Sequence, residues 1–172
     1  VVQVEALQEF VIGKSIEGQE ITPNLNKLIK SSLYFDNYYT QTAGGGTSDA
    51  ELLSNVSMHP ARDGATYIRF PLNDYYSLAR RLSEEGYLTS AMHAYRPGFW
   101  NRSVMYKTLG FDEFISKNNY ITDEISGMGL TDKSFFRQSL EYMEKYKEPY
   151  YAFLITLTSH FPYDNDNKYL GS

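Results

Sequence analysis

The 172 residues include 42% hydrophobic and 22% charged side chains, a composition typical of a folded domain and not of a disordered chain. The net charge of −5 and the absence of clustered Lys and Arg argue against a nucleic-acid-binding protein, because phosphate recognition needs concentrated positive charge. No cysteine is present, which excludes disulfides, thiol catalysis and thiolate metal sites, and no apolar run approaches the roughly 18 residues of a membrane span.

The first quarter of the chain contains two predicted strands and one predicted helix. The run "VVQVEAL" (residues 1–7) is short and rich in valine, as in a buried strand. In "ITPNLNKLIKSS" (residues 21–32), Pro23 suits the first position of a short helix. The aromatic run "LYFDNYYT" (residues 33–40) is predicted to form a second strand.

The remainder of the chain alternates helical and extended patterns. The predicted elements are a helix in "DYYSLARRLSEEGY" (74–87), a strand in "YLTSAMHAY" (87–95), a helix and short strand in "VMYKTLGFDEFI" (104–115), a long helix in "TDKSFFRQSLEYMEKYKEP" (131–149) and a strand in "YYAFLITLTSH" (150–160). Such alternation predicts an α/β fold with a mainly parallel central sheet flanked by helices. We expect residues 1–172 to be the N-terminal part of a single domain that is incomplete at its C-terminus.

Three consecutive glycines precede a helical pattern in "TQTAGGGTSDAELLSNV" (residues 40–56). Ser48 and Glu51 have the spacing of a capping box, which would place Thr47 at the mouth of the helix. Helix N-termini attract anions, and glycines let a bulky group approach the backbone, so a phosphate group would fit there. Because no Lys follows the glycines, the motif is not a nucleotide-binding Walker A loop.

A threonine hydroxyl at this position is a possible nucleophile, but it needs an adjacent base or metal ion to activate it. Glu5 follows the first predicted strand, at a sheet edge where carboxylates often bind metals. A divalent cation held by Glu5 and Thr47 would lower the pKa of the alcohol and withdraw charge from an attacked phosphoryl group. The alternative is that the glycine turn and the capped helix are purely structural.

A second group of polar and aromatic residues follows the predicted strand at residues 87–95, in "MHAYRPGFWNRSVMY". Arg102 is able to fork onto a phosphate, His93 to donate to one, and Trp100 to lie against a small polyol. His160 stands where the last predicted strand ends. Without further context, these residues would be interpreted as packing groups, surface charge and a structural histidine.

Five segments together carry a family resemblance: "VEALQ", "TPNLNKL", "GGGTSDAELL", "HAYRPGFWNRSVMYKTLGFDEF" and "LTSHFPY". In this order they resemble the extracellular catalytic domain of lipoteichoic acid synthases. These are membrane-anchored phosphoglycerol transferases of the sulfatase and alkaline-phosphatase superfamily. The resemblance covers nearly the whole chain and implies a sulfatase-like fold.

The resemblance also implies an activity and a set of site residues. Similar enzymes move glycerol phosphate from phosphatidylglycerol to a growing lipoteichoic acid chain through a metal-activated threonine, at the extracellular face of the cell membrane. The metal-ligand glutamate falls on Glu5 and the nucleophile, also a metal ligand, on Thr47. The implied metal is Mn²⁺, with Mg²⁺ as an alternative, and the membrane anchor is expected outside this chain. The residues that would contact glycerol phosphate are His93, Trp100, Arg102 and His160.

The sequence departs from the family pattern in two respects. Gly46 stands where the family commonly has Lys or another residue, and the Asp-His pair that completes the metal site has no counterpart here. We therefore expect the isolated chain to be inactive and to bind metal weakly. Other readings are a sulfatase, which the lack of a Cys disfavours, a phosphoethanolamine transferase, or a non-catalytic module that binds glycerol-phosphate polymer.

Overall fold

The computed structural model describes residues 1–161 and divides into two compact units, each considered by itself here. One unit contains Val1–Glu5 and the chain from Gln41 onward, and the other is Ala6–Thr40. Within the described residues, no helix is long and apolar enough to cross a membrane. The last two residues of the "LTSHFPY" motif lie outside the described part.

Short helices and strands account for the regular structure of residues 1–161. The strands are β1 (Val2–Gln3), β2 (Ser15–Ile16), β3 (Gln19–Glu20), β4 (Leu88–His93), β5 (Glu113–Ser116), β6 (Ile125–Ser126), β7 (Gly129–Leu130) and β8 (Tyr150–Ile155). The α-helices are α1 (Pro23–Ile29), α2 (Thr47–Val56), α3 (Thr66–Arg69), α4 (Leu78–Glu84), α5 (Arg102–Thr108) and α6 (Asp132–Met143). Single 3₁₀ turns occupy Glu9–Val11, Phe99–Asn101 and Lys117–Asn119.

The larger unit is built on a parallel sheet of order β1-β8-β4-β5. The two central strands, β4 and β8, are almost completely buried, as expected for strands covered on both faces. Their side chains alternate between the two faces, so that Ala91 and Phe153 join one core cluster while Met92 and Leu154 join the other. The predicted α/β fold with a parallel central sheet is confirmed.

Helices cover the two faces of this sheet. On one face the core includes Leu52 of α2, Ala79 of α4 and Met105 of α5, and on the other it includes Phe135 of α6. Ser77 caps α4 by accepting a hydrogen bond from the Arg80 N–H. Because the strands of this sheet are parallel, their carboxyl ends lie at the same edge of the sheet, and polar residues follow them there.

The long helix is shorter than predicted. It ends at Met143 and not next to Pro149, and a turn follows in which the Tyr146 N–H donates to the Met143 carbonyl. The Tyr146 hydroxyl donates to the Glu113 carboxylate, and its oxygen also lies within hydrogen-bond distance of Ser90 Oγ at 2.9 Å. These contacts hold Tyr146 against the sheet, which competes with continuation of the helix.

The unit Ala6–Thr40 contains a two-stranded antiparallel hairpin, β2-β3, and the helix α1. Pro23 begins α1, as predicted from the sequence. Asn26 links the parts of the unit, because its Oδ1 accepts from the Gly13 N–H and from the Thr22 hydroxyl while its Nδ2 donates to Glu20.

The predicted strand at residues 33–40 is wrong. This segment has no regular structure, and a turn at residues 36–37 interrupts it. Leu33 and Tyr38 are 90% and 84% exposed. Aromatic composition favours a strand only where a neighbouring strand and a buried face are available, and residues 33–40 pair with no strand in the described part of the chain.

Candidate active site

The residues that follow β1 and β8 are tied together at the carboxyl edge of the sheet. β1 pairs with β8, and immediately beyond this pairing the Glu5 N–H donates to Thr156 Oγ1 at 2.8 Å. The Ser159 hydroxyl donates to the Glu5 carbonyl at 2.6 Å. Glu5 is therefore fixed by its backbone, and its side chain is half-buried at the edge where Thr47 lies.

The structure brings the predicted nucleophile and the predicted metal ligand into contact. Thr47 Oγ1 donates a hydrogen bond to Glu5 Oε2 over 3.0 Å, although 42 residues separate the two in sequence. The side chain of Gln3 also reaches the helix start, where its Nε2 donates to the Thr47 carbonyl at 3.3 Å. Thr47 is half-buried, so its hydroxyl is outside the packed interior.

The glycine loop before Thr47 is held by a buried carboxylate. Asp49 Oδ2 accepts the backbone N–H groups of Ala43 and Gly45, each at 2.9 Å. A Cβ on residue 45 would lie 2.2 Å from Asp49 Oδ1, so only glycine fits there. Gly46 has a φ of +48°, a conformation that side-chain-bearing residues rarely adopt. Close packing against Asp49 explains Gly45, whereas the sequence had suggested space for a ligand.

The predicted capping box at Ser48 and Glu51 is wrong. α2 begins at Thr47 after Gly46, and the Ser48 hydroxyl donates backwards to the Gly45 carbonyl at 2.8 Å. Glu51 is completely buried and points away from the helix start toward Arg102. A capping glutamate must reach its own helix terminus, and Glu51 is instead engaged by a buried guanidinium.

Arg102, predicted to contact phosphate, is 1% exposed and forks onto Glu51. Its Nε and Nη2 donate to Glu51 Oε1 at 3.0 and 2.6 Å, and the Tyr106 hydroxyl donates to Oε2 at 2.6 Å. Burial lowers the pKa of Arg102, but the Glu51 carboxylate outweighs this effect and the net shift is upward. Nη1 is buried without a hydrogen-bond partner among the described residues.

His93 ends β4, and its Nδ1 lies 3.0 Å from the Ile155 carbonyl oxygen. Because a carbonyl only accepts, Nδ1 carries the proton and Nε2 of the neutral ring is left as an acceptor. Burial and then the nearby positive charge of Arg102 lower the pKa of His93 to about 3, with a smaller contribution from His160. In its neutral form His93 is able only to accept a hydrogen bond from a ligand through Nε2, in contrast to the donor role toward phosphate considered from the sequence.

The titration of His93 predicts a pH dependence of stability. The folded state keeps His93 neutral down to about pH 3, whereas the unfolded chain takes up the proton near pH 6.5. Between these values the unfolded state binds more protons, so the free energy of unfolding falls as the pH falls. We expect urea unfolding of His93→Gln to reduce this slope by up to about 1.4 kcal/mol per pH unit.

The matched control for this prediction is the same change at the exposed His59, which should leave the slope unaltered. Imidazole NMR provides an independent measurement. An imidazole signal from His93 that titrates near neutral pH would contradict the neutral, buried ring.

Trp100 and His160 complete the set of predicted binding residues. Trp100 and Asn101 both adopt a left-handed backbone conformation, with φ of 54° and 56°, and Asn101 Nδ2 donates to the Tyr67 carbonyl at 2.9 Å. Trp100 packs against the core cluster on the α2 face. His160 is half-buried after β8, close enough to His93 to influence its pKa. Their roles in binding remain predictions.

Glu5 and Thr47 suit a hard divalent cation, because both offer oxygen ligands, which Mg²⁺ and Mn²⁺ prefer. The two oxygens lie 3.0 Å apart at the edge of the sheet. Across residues 1–161, no group of three or more His, Asp or Glu residues is arranged to hold a metal ion. The described residues thus fit part of a metal site, of which Glu5 and Thr47 would supply two ligands.

Comparison with known proteins identifies the family to which this fold belongs. The sulfatase family model matches residues 1–172. The chain is 40% identical to lipoteichoic acid synthase 1 of Bacillus subtilis and 40% identical to the lipoteichoic acid synthase of Staphylococcus saprophyticus. These alignments cover 97% and 94% of this chain but 27% and 26% of those proteins, so the chain spans about a quarter of their length.

Solved structures agree with the sequence comparison. The crystal structure of the lipoteichoic acid synthase LtaP from Listeria monocytogenes matches with a TM-score of 0.91 at 27% identity, covering 96% of this chain and 41% of that one. The Streptococcus pyogenes phosphoglycerol transferase GacH, solved with sn-glycerol-1-phosphate, shares the fold with a TM-score of 0.62 at 21% identity, covering 84% and 39%. The chain belongs to the sulfatase family, and within that family it is similar to lipoteichoic acid synthases.

Proposed function

We propose that these residues form part of the catalytic domain of a phosphoglycerol transferase that extends lipoteichoic acid, with phosphatidylglycerol as donor and Thr47 as nucleophile. The observation that carries the proposal is the 3.0 Å hydrogen bond from the Thr47 hydroxyl to the Glu5 carboxylate at the carboxyl edge of the sheet. The similarity to proteins named lipoteichoic acid synthase supports the substrate class. The enzyme would act at the extracellular face of the membrane.

In the first step Thr47 Oγ1 attacks the phosphorus of the donor. A bond forms between this oxygen and phosphorus, the bond from phosphorus to the diacylglycerol oxygen breaks, and a proton from solvent completes the released hydroxyl of diacylglycerol. The proton of Thr47 leaves toward Glu5 Oε2, which accepts the hydrogen bond of the hydroxyl. In the second step the terminal hydroxyl of the polymer attacks the same phosphorus and releases its own proton to solvent, the bond from phosphorus to Thr47 Oγ1 breaks, and Thr47 takes its proton back from Glu5.

A divalent cation at Glu5 and Thr47, Mn²⁺ or Mg²⁺, would lower the pKa of the Thr47 hydroxyl and withdraw charge from the phosphoryl group. Thr47 also starts α2, whose N-terminus favours negative charge. The chain's own residues thus favour an anion next to the attacking oxygen. No nucleic-acid partner is proposed.

The substrate contacts follow from the free polar atoms at the site. Arg102 Nη1, which is buried and has no hydrogen-bond partner within residues 1–161, is suited to a phosphoryl oxygen. His93 Nε2 is suited to accept a hydrogen bond from a glycerol hydroxyl, because Nδ1 is committed to the Ile155 carbonyl. We propose that Trp100 and His160 bound the same pocket.

The proposed function is tested with the complete enzyme that contains this chain. Vesicles of phosphatidylglycerol labelled in the headgroup glycerol should release unlabelled diacylglycerol while the label enters polymer. Phosphatidylethanolamine vesicles serve as the matched donor control. Transfer of phosphoethanolamine, or hydrolysis of a sulfate ester in place of either transfer, would contradict the assignment.

We expect the isolated 172 residues to bind Mn²⁺ weakly and to turn over no donor. Two oxygen ligands leave most of the coordination shell to water, and no third acidic or histidine ligand joins them within residues 1–161. Calorimetric titration with Mn²⁺ should therefore show no saturable one-to-one binding, and Glu5→Gln should give the same trace. A stoichiometric titration of the isolated chain, or measurable turnover by it, would refute this expectation.

A further inference from the structure

We propose that Glu51 is a positioning residue that fixes Arg102 so that only Nη1 is offered to the phosphoryl group of the substrate. This inference rests on the proposed function and assigns Glu51 a part in it. Glu51 touches no reacting atom and acts through Arg102. Its carboxylate is fully buried and lies between α2 and α5.

Glu51 engages only part of the guanidinium of Arg102. Nε and Nη2 both donate to the Glu51 carboxylate, and Tyr106 donates to its other oxygen. Among the described residues, this leaves Nη1 as the one guanidinium nitrogen of Arg102 without a partner, in a side chain that is 1% exposed. Leaving a buried N–H group without a partner is destabilising, and a ligand oxygen would remove that penalty.

Glu51 lies on α2, the same helix as the proposed nucleophile Thr47. Thr47 and Glu51 are four residues apart in α2, so they lie on one face of the helix, about 6 Å apart along its axis. The same helix therefore presents the attacking oxygen at its start and holds the phosphate-binding guanidinium one turn later. α2 sets the distance between the nucleophile and the positive charge that receives the substrate.

Stability alone explains the buried ion pair of Glu51 and Arg102 poorly. A buried ion pair is often no more stabilising than apolar residues of similar volume, because removing both charges from water is costly. Tyr106, which completes the arrangement, packs edge-on against Tyr67. The Tyr67 hydroxyl is itself buried without a partner among the described residues. Within residues 1–161, Arg102 Nη1 and the Tyr67 hydroxyl are thus both buried without a hydrogen-bond partner, so the cluster is not fully satisfied by its own polar groups.

The test compares variants of the complete enzyme for binding of sn-glycerol-1-phosphate and for turnover of phosphatidylglycerol. Glu51→Gln keeps the shape of the side chain but removes the charge that holds the fork. We expect Kd for sn-glycerol-1-phosphate and KM for the donor to rise by at least about tenfold, with a smaller fall in kcat. If Glu51→Gln does not fold, Glu51→Asp keeps the charge, shortens the reach and should still raise both constants several-fold.

The matched control uses two equivalent deletions of a tyrosine hydroxyl. Tyr106→Phe removes the donor to Glu51, whereas Tyr120→Phe removes a buried hydrogen bond to Ser139 in the other core cluster. We expect Tyr106→Phe to weaken ligand binding and Tyr120→Phe to affect only stability. Unchanged or tighter binding by folded Glu51 variants would overturn the positioning role alone. A wild-type enzyme that neither binds sn-glycerol-1-phosphate nor transfers the donor headgroup would overturn the proposed function as well.

Discussion

Thr47→Ala is expected to abolish phosphoglycerol transfer, with a loss of at least about 10³-fold in kcat, because the substitution removes the oxygen that would bond to phosphorus. The folded structure should change little. Thr47 is half-buried, and in the part of the chain that the structure describes its side chain makes one hydrogen bond, to Glu5. We expect the free energy of unfolding to shift by no more than about 1 kcal/mol. Donor turnover and urea unfolding, measured on the same preparation, check both statements.

Two matched variants distinguish loss of the proposed nucleophilic oxygen from a general disturbance of α2. Thr47→Ser retains a hydroxyl and should retain part of the activity. Ser54→Ala removes an exposed hydroxyl from the same helix, one that donates to the Ala50 carbonyl, and should leave turnover unchanged. If Thr47→Ala kept turnover within tenfold of the wild type, Thr47 would not be the nucleophile. Unaltered biological function of the complete protein would favour a non-catalytic polymer-binding module.

Gly45→Ala is expected to inactivate the enzyme by at least about 100-fold and to destabilise the fold by about 1–3 kcal/mol. The added Cβ would lie 2.2 Å from Oδ1 and 2.6 Å from Cγ of the buried Asp49. Either the glycine loop or the start of α2 must move, and Thr47 is two residues away. The loss should appear mainly in kcat, because Thr47, the proposed nucleophile, would be displaced from the phosphorus.

Gly98→Ala is the control for this prediction. Gly98 lies in the loop that leads to Trp100, its φ is negative, and a Cβ there would meet no atom within 4 Å. We expect the activity and stability of this variant to match the wild type. Full activity of Gly45→Ala would mean that Asp49 has room to relax, and the rigid account of the loop would then be wrong.

The sequence predicted those parts of the fold that depend on local patterns. β8 is a continuous apolar run, β4 directly follows the helix-ending Gly86, and α4 is bounded by the capping Ser77 and by Gly86, so each is identifiable without tertiary information. The segment at residues 33–40 has an equally favourable composition but no pairing strand in the described residues. Strand pairing is a property of the whole fold and is not encoded in the run itself.

The same distinction applies to the site. The approach of Glu5 to Thr47 was predictable in part, because Glu5 follows a strand at the carboxyl edge of the sheet and a reactive threonine at a helix start needs an adjacent base or metal ligand. The pairing of Glu51 with Arg102 was not, because 51 residues separate them and Glu51 fits a local capping pattern equally well. An acidic residue among apolar ones in "AELL" was the one available signal of a buried partner.

In the proposed mechanism, the oxygen of Thr47 becomes bonded to the substrate phosphorus. The direct measurement is mass spectrometry of peptides from the complete enzyme after incubation with phosphatidylglycerol and Mn²⁺, without polymer acceptor. We expect glycerol phosphate on Thr47, lost on addition of acceptor and absent in Glu5→Gln. Turnover accompanied by an adduct on another residue, or by no adduct under these conditions, would contradict the account.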